Sequence, residues 1–136
     1  MHSLKSLADP GYCVLRLMVG LMFACHGAQK LLGMFGGPAE LGDPEAVVAG
    51  IVEIGGGILI AIGLFTRVAA FFASGEMAVA YFKAHAIRAF FPIQNHGELA
   101  ALYCWVFLFV LFYGPGRWSI DALIKRRSRA NADTSL

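Results

Sequence analysis

Four apolar stretches separated by polar punctuation set the pattern of the chain. They cover about residues 10–32, 45–64, 67–90 and 96–113. Each is roughly 18 to 24 residues long, which at 1.5 Å per residue spans a bilayer's hydrocarbon core. The pattern predicts an all-α fold, an integral membrane four-helix bundle with both termini cytoplasmic. Residues 1–136 then form a single membrane domain, with a basic amphipathic tail at about 117–130.

Within the stretches, the exceptions to the apolar pattern carry the information. In the first, Pro10 suits an opening helical turn, and Arg16, Gly20, Phe23, Gly27 and Lys30 recur at spacings of four and three, so they share one face. That face is predicted to look inward, with the glycines admitting a neighbouring backbone. The second stretch has Glu53 beside Gly55-Gly56-Gly57, with Gly50 and Gly63 further out. So many glycines imply a tight helix contact or an opening near Glu53. In the third, Ala69, Ala73, Glu76, Ala80 and Lys83 share a face; His85 and Arg88 follow before Phe90-Phe91-Pro92 stops the helix. The fourth opens on Asn95-His96-Gly97-Glu98, with Asn95 as expected N-cap and Glu98 favoured by the helix dipole.

Gly36-Gly37-Pro38 and Asp43-Pro44 mark a loop, whereas Phe65-Thr66-Arg67 is so short a link that the second and third helices must be antiparallel neighbours. Gly114-Pro115-Gly116 ends the fourth. Beyond it Trp118 is an interfacial anchor, and Ser119 caps a short helix whose Ile120, Leu123 and Ile124 lie on the membrane. Residues 130–136 read as polar and disordered.

Composition agrees: 58% of residues are hydrophobic and 15% charged, at a mean hydropathy of +0.66. A water-soluble helical protein would need charges on its outer helix faces, which these stretches lack. Net charge is only +2, but the cations cluster. Lys5, Arg67, Lys125, Arg126, Arg127 and Arg129 fall where the positive-inside rule makes both termini and the 65–67 link cytoplasmic, with Lys83 and Arg88 weighing mildly against it. Basic residues beside a span point to anionic lipid headgroups and not to nucleic acid. Cys13, Cys25 and Cys104 are isolated within the stretches, so neither a disulfide framework nor a zinc motif follows.

Counting depth from the non-cytoplasmic side brings the polar residues together. Lys30, Lys83, His85 and Glu98 lie within about 5 Å of that surface, His26 and Glu53 about 10 Å deep, and Glu76 about 15 Å. Ionisable groups at such depth cost free energy and are candidate functional sites. We therefore read His26, Glu53, Glu76 and Glu98 as candidate catalytic residues, and Lys30, Lys83, His85 and His96 as candidate cofactor-binding residues. Arg16, toward the other surface, is read as anchoring or packing. Carboxylates with a histidine suit proton transfer, and lysines beside them attract an anion. Three uses fit: proton exchange with a quinone at the bilayer edge, binding of a small polar substrate, and metal ligation. The last ranks lowest because no ExxH spacing occurs, and no metal site is assigned. A purely structural network that ties helices together is the competing account.

In order along the chain, Arg16, His26-Gly27-x-x-Lys30-x-x-Gly33, Glu53-x-Gly55-Gly56-Gly57, Gly63-Leu64-x-Thr66-Arg67, Asn95-x-Gly97-Glu98 and Gly114-Pro115-Gly116-x-x-Ser119-x-Asp121 resemble the DoxX family of small bacterial inner-membrane proteins. The resemblance covers about residues 12–121 and implies a four-helix, multi-pass protein of the bacterial inner (cytoplasmic) membrane. The family is named for its likeness to a subunit of a thiosulfate:quinone oxidoreductase, and some members are linked to membrane oxidoreductase complexes and to thiol or oxidative stress. What it implies here is a membrane subunit of a quinone-linked oxidoreductase system, with quinone as cofactor and an oxidoreductase partner subunit. A non-enzymatic scaffold or assembly partner, a small-molecule carrier and homo-oligomerisation are also compatible. The chain has no haem, flavin or iron–sulfur motif of its own. It departs from the family's usual pattern at His96, where a glycine commonly precedes Gly97.

Overall fold

A computed structural model describes residues 2–134 of the chain, with side chains from 6 to 132. Lys5, counted above among the cytoplasmic cations, has its side chain outside that set. The described residues form helices joined by turns, with no strand among them. In order these are α1 (His2–Leu32), α2 (Pro44–Ile62), α3 (Thr66–Ala80) running on into a π-helical turn (Tyr81–His85), α4 (Pro92–Asn95), α5 (Glu98–Tyr113) and α6 (Ile120–Thr134). Two segments, Ser6–Leu32 and Pro44–Ile62, are long and apolar enough to cross a membrane, and α5 is a shorter apolar helix.

Several boundaries differ from the sequence reading, each for a local reason. Pro10 lies inside α1 instead of opening it. A proline deprives the carbonyl four residues earlier of its helical donor; here that carbonyl, of Ser6, accepts instead from Arg117 Nη2 at 3.3 Å. The third helix stops at His85 and the chain turns back through 86–91, short of position 90. Asn95 is not the cap of the fourth long helix but the last residue of α4. Its side chain turns inward, donating to the Ala89 carbonyl and the Tyr81 hydroxyl and accepting from Gly97 N–H. Where disorder is expected at 130–136, helix runs through Thr134, and residues 135–136 lie outside the described residues; α6 is rich in Ala, Lys and Arg, which favour helix.

The four long helices run antiparallel in sequence. α1 and α2 pack closest because glycines meet backbone. A Cβ on Gly20 would lie 2.6 Å from Ala61 N and Gly57 O, and one on Gly27 would lie 2.5 Å from Gly50 O. α3 packs on α5, where the Ser74 hydroxyl donates to the Cys104 carbonyl at 2.9 Å. α5 faces α1 through rings: Phe23 lies 4.7 Å from Phe107 and 5.5 Å from Tyr103, centroid to centroid. Phe23, Ile60, Ala70, Ala73, Phe107 and Val110 are fully buried at the centre. The outward faces stay apolar, with Leu17, Met18, Leu21, Phe71, Phe72, Leu102, Trp105 and Phe112 exposed.

At one end, here the tail end, the start of α1, the α2–α3 link, the end of α5 and the start of α6 are tied together. Arg16 is 2% exposed, and its guanidinium donates to the Ile60 carbonyl at 2.6 Å and the Trp118 carbonyl at 2.7 Å. Gly63 takes the left-handed conformation (φ 71°) that ends α2, and its α-carbon leaves room only for Arg16 and Ser119. Asp121 caps α3 from outside, accepting from Phe65 N–H, Thr66 N–H and the Thr66 hydroxyl at 2.9–3.0 Å. Arg67 donates to the last carbonyls of α5, Tyr12 to the Gly114 carbonyl, and Arg117 pairs with Asp9 at 2.8 Å.

Candidate functional site

Toward the other end, the loop end, the polar residues are arranged differently. Lys30 lies on the same face of α1 as Gly27, one turn on. Because Gly27 lets the α2 backbone into contact, the Lys30 ammonium reaches Glu53 Oε1 at 2.8 Å. Glu53 sits in the middle of α2 with its side chain 3% exposed, while that of Lys30 is 29% exposed. The second carboxylate oxygen, Glu53 Oε2, is buried with no hydrogen-bond partner.

Glu76, from α3, completes the cluster. Its Oε2 is likewise buried without a partner, and it lies within electrostatic reach of both Glu53 and Lys30. His26, half-buried on α1, is within reach of Glu53 and stands edge-on to the Tyr103 ring, centroids 5.9 Å apart. Tyr103, from α5, is buried and its hydroxyl too has no partner. Each long helix thus contributes: His26 and Lys30, Glu53, Glu76 and Tyr103. One ammonium faces two carboxylates, so the cluster has room for a further positive charge, a proton in the simplest case.

Beside it runs a groove of about 810 Å³ between α2 and α3. Val48, Ala49, Val52, Phe71, Phe72, Gly75 and Val79 make its walls apolar, and Lys30 and Glu76 lie in its lining. The three-residue link holds α2 and α3 together at the tail end, and the groove opens between them toward the loop end. There Lys83, on the π-helical turn, pairs with both oxygens of Glu45 at 2.6 and 2.7 Å, joining α3 to α2 among the groove-lining residues. Both partners are exposed.

Of the eight residues singled out from sequence, the fold brings His26, Lys30, Glu53 and Glu76 together; Lys30 and Glu76 line the groove, as does Lys83 further out, while His26 and Glu53 lie behind it. The other three do not line it. His85 places Nδ1 3.1 Å from the Asn95 carbonyl and stacks on Tyr81, holding the turn between α3 and α4. His96 takes a left-handed conformation at φ 58° and is exposed; Glu98, the first residue of α5, is exposed as well. Both lysines are engaged by carboxylates, so neither offers an uncommitted charge to an anion. Tyr103 and Glu45 were missed. The signal for Tyr103 was a tyrosine in the interior of the fourth apolar stretch, whose other tyrosine, Tyr113, stands at its end, and for Glu45 a carboxylate directly after Asp43-Pro44. Among the described residues, no three His, Cys, Asp or Glu side chains group so as to hold a metal ion.

Comparison with known proteins places the chain. The DoxX family matches residues 11–86. An uncharacterized protein of Haemophilus influenzae is 45% identical over 128 residues, covering 89% of this chain and 96% of that protein. An uncharacterized membrane protein of Mycobacterium tuberculosis is 31% identical, covering 93% and 89%. The inner membrane protein YqjF of Escherichia coli is 27% identical, covering 91% and 99%. No solved structure matches. The family match, the exposed apolar faces and the two bilayer-length helices agree, and the chain belongs to the DoxX family of membrane proteins.

Proposed function

We propose that this protein is a multi-pass four-helix bundle of the bacterial inner membrane that binds quinone in the α2–α3 groove, as the membrane subunit of a quinone-linked oxidoreductase system. Both termini then lie in the cytoplasm. Arg67, Lys125, Arg126, Arg127 and Arg129 gather at the tail end, while at the loop end Lys83 is balanced by Glu45 and Arg88 alone weighs mildly the other way.

The observation that carries the reading is Glu76, which lines an apolar groove and has a buried Oε2 without a partner. Its volume falls within the 300 to about 1,000 Å³ usual for small-molecule sites, which combine apolar walls with a few placed polar groups. A lipid-soluble ring suits such walls. The residues that would hold it are Val52, Phe72, Gly75 and Val79 along the walls and Glu76 at the polar end. Quinone, when bound, supplies coupled electron and proton chemistry. The chain's part is to hold and deliver the proton at Glu76, with Glu53 kept in place by Lys30 and His26 and Tyr103 beside it. Electrons come from a partner subunit.

The test is co-purification in mild detergent followed by mass spectrometry of extracted lipids, with titration of a short-chain quinone against thermal stability. The wild-type protein should carry quinone and be stabilised by the added compound. Glu76→Gln keeps the shape and removes the exchangeable charge; it should assemble normally and lose quinone-dependent turnover with its partner. Absence of quinone under several lipid conditions, with Glu76→Gln indistinguishable from wild type, would sink the proposal.

A further inference from the structure

We propose that α6 is a membrane-surface helix that docks on anionic lipid headgroups. The inference stands apart from what the groove binds and rests on where α6 is fixed. Asp121, in its first turn, donates its N–H to the Gly63 carbonyl at 2.9 Å, and its carboxylate caps α3 through Phe65 and Thr66. The Ser119 hydroxyl caps α6 itself, accepting from Ala122 N–H at 3.1 Å. The helix therefore begins level with the ends of α2 and α3, at the boundary of the apolar zone. At 1.5 Å per residue, Lys125 to Arg129 lie no more than about 6 to 12 Å from that level whichever way α6 points. Electrostatic attraction to a charged surface is felt over about 8 Å at physiological ionic strength.

The charge balance is one-sided. Among the described side chains of α6 the single acid is Asp121, and it is turned onto the α3 N-terminus. Arg117 is paired with Asp9. Lys125, Arg126, Arg127 and Arg129 remain exposed with no further acid among the described side chains of α6 to balance them; Asp133 lies outside that set. Beside them Trp118, Leu123 and Ile124 expose 59%, 58% and 56% of their surface. At 100° per residue Ile120, Leu123, Ile124 and Arg127 share one arc, Arg126 stands beside it, and Lys125 and Arg129 lie on the opposite, water-facing side. A polyphosphate partner in water has no use for that apolar arc. A bilayer has: acyl chains take Leu123 and Ile124, and the long cations reach back to the headgroup phosphates.

To test it, the full chain carrying Cys25→Ser and a polarity-sensitive fluorophore at Ser128→Cys is placed in phosphatidylcholine nanodiscs with or without phosphatidylglycerol. Quenching by neutral acrylamide is then measured. Anionic lipid should lower the quenching constant about two-fold or more, and high salt should reverse this. The quadruple variant K125Q/R126Q/R127Q/R129Q, which leaves Ser119 and Asp121 intact, should lose the difference. Leu123→Ser with Ile124→Ser should weaken it while keeping its salt dependence. Equal quenching in both nanodiscs, or a difference that survives in the quadruple variant, overturns the proposal. So does protection by duplex DNA in neutral nanodiscs equal to that from phosphatidylglycerol, which would assign the helix to nucleic acid.

Discussion

The two buried polar clusters of this protein sit at opposite ends and are finished to different degrees. At the tail end, Arg16 is as buried as Glu53, yet its terminal nitrogens donate to the Ile60 and Trp118 carbonyls, and Asp121 accepts three hydrogen bonds. At the loop end, Glu53 and Glu76 each leave an oxygen buried and unpaired, and Tyr103 leaves a hydroxyl so. At the tail end only Arg16 Nε is left without a partner among the described residues, and the matched groups serve to join helices. Buried groups left short of a partner cost stability, and of these Glu76 lines the apolar groove, where a ligand or a proton can complete it. Polarity at membrane depth alone does not mark a functional site, whereas incomplete pairing next to open space does.

This contrast can be broken by substitution, and the largest effect is expected at the tail end. Arg16→Met should cost about 3 to 5 kcal/mol, because it strands two buried carbonyls at the junction of α1, α2 and α6. Denaturant or thermal unfolding in detergent reads this directly; near-wild-type stability would remove the tail end's claim to be structural. Gly57→Val comes next, at about 1 to 3 kcal/mol, since the added Cβ meets backbone of α1 and not a movable side chain. The same assay checks it, with Gly55→Ala, which meets nothing within 4 Å, as the neutral control.

At the loop end the carboxylates should separate from one another. Glu53→Gln removes the partner of Lys30 and should destabilise by about 1 to 2 kcal/mol, moderated because Lys30 keeps some access to its surroundings. Glu76→Gln removes an unpaired charge and should leave stability unchanged or raise it, while quinone-dependent turnover is lost. An equal fall in stability for both variants would show Glu76 to be a structural partner whose contact is hidden. The smallest effect belongs to Lys83→Ala. Its pair with Glu45 is exposed, so a stability change below about 1 kcal/mol is expected.

Much of the arrangement was legible before the fold was known, but unevenly. The face formed by Arg16, Gly20, Phe23, Gly27 and Lys30 follows from helical angles alone and is the face α1 turns inward, Phe23 toward α5 and the others toward α2. Depth counting likewise placed His26, Lys30, Glu53 and Glu76 in one half of the membrane, at about 5 to 15 Å from its surface. The same counting did not separate His85 and Glu98 from the cluster, because it gives a level and not an azimuth, and the chain folds back between 86 and 97. It also left Arg16 isolated in its half of the molecule. Its partners are main-chain carbonyls, which no side-chain pattern announces.

What the sequence determined by itself is therefore periodic or compositional: an all-helical chain, apolar outer faces, glycines where backbones meet, cations gathered near one end. These depend on residues a few positions apart, whose geometry the helix fixes. What only the tertiary structure decided depends on contacts between distant segments. Asp121 caps α3 across 55 residues, Tyr103 joins His26, Lys83 reaches Glu45, and Glu76 is left without a partner. Whether a buried carboxylate is paired or waiting is a property of the space between helices, and that space exists only once they have packed.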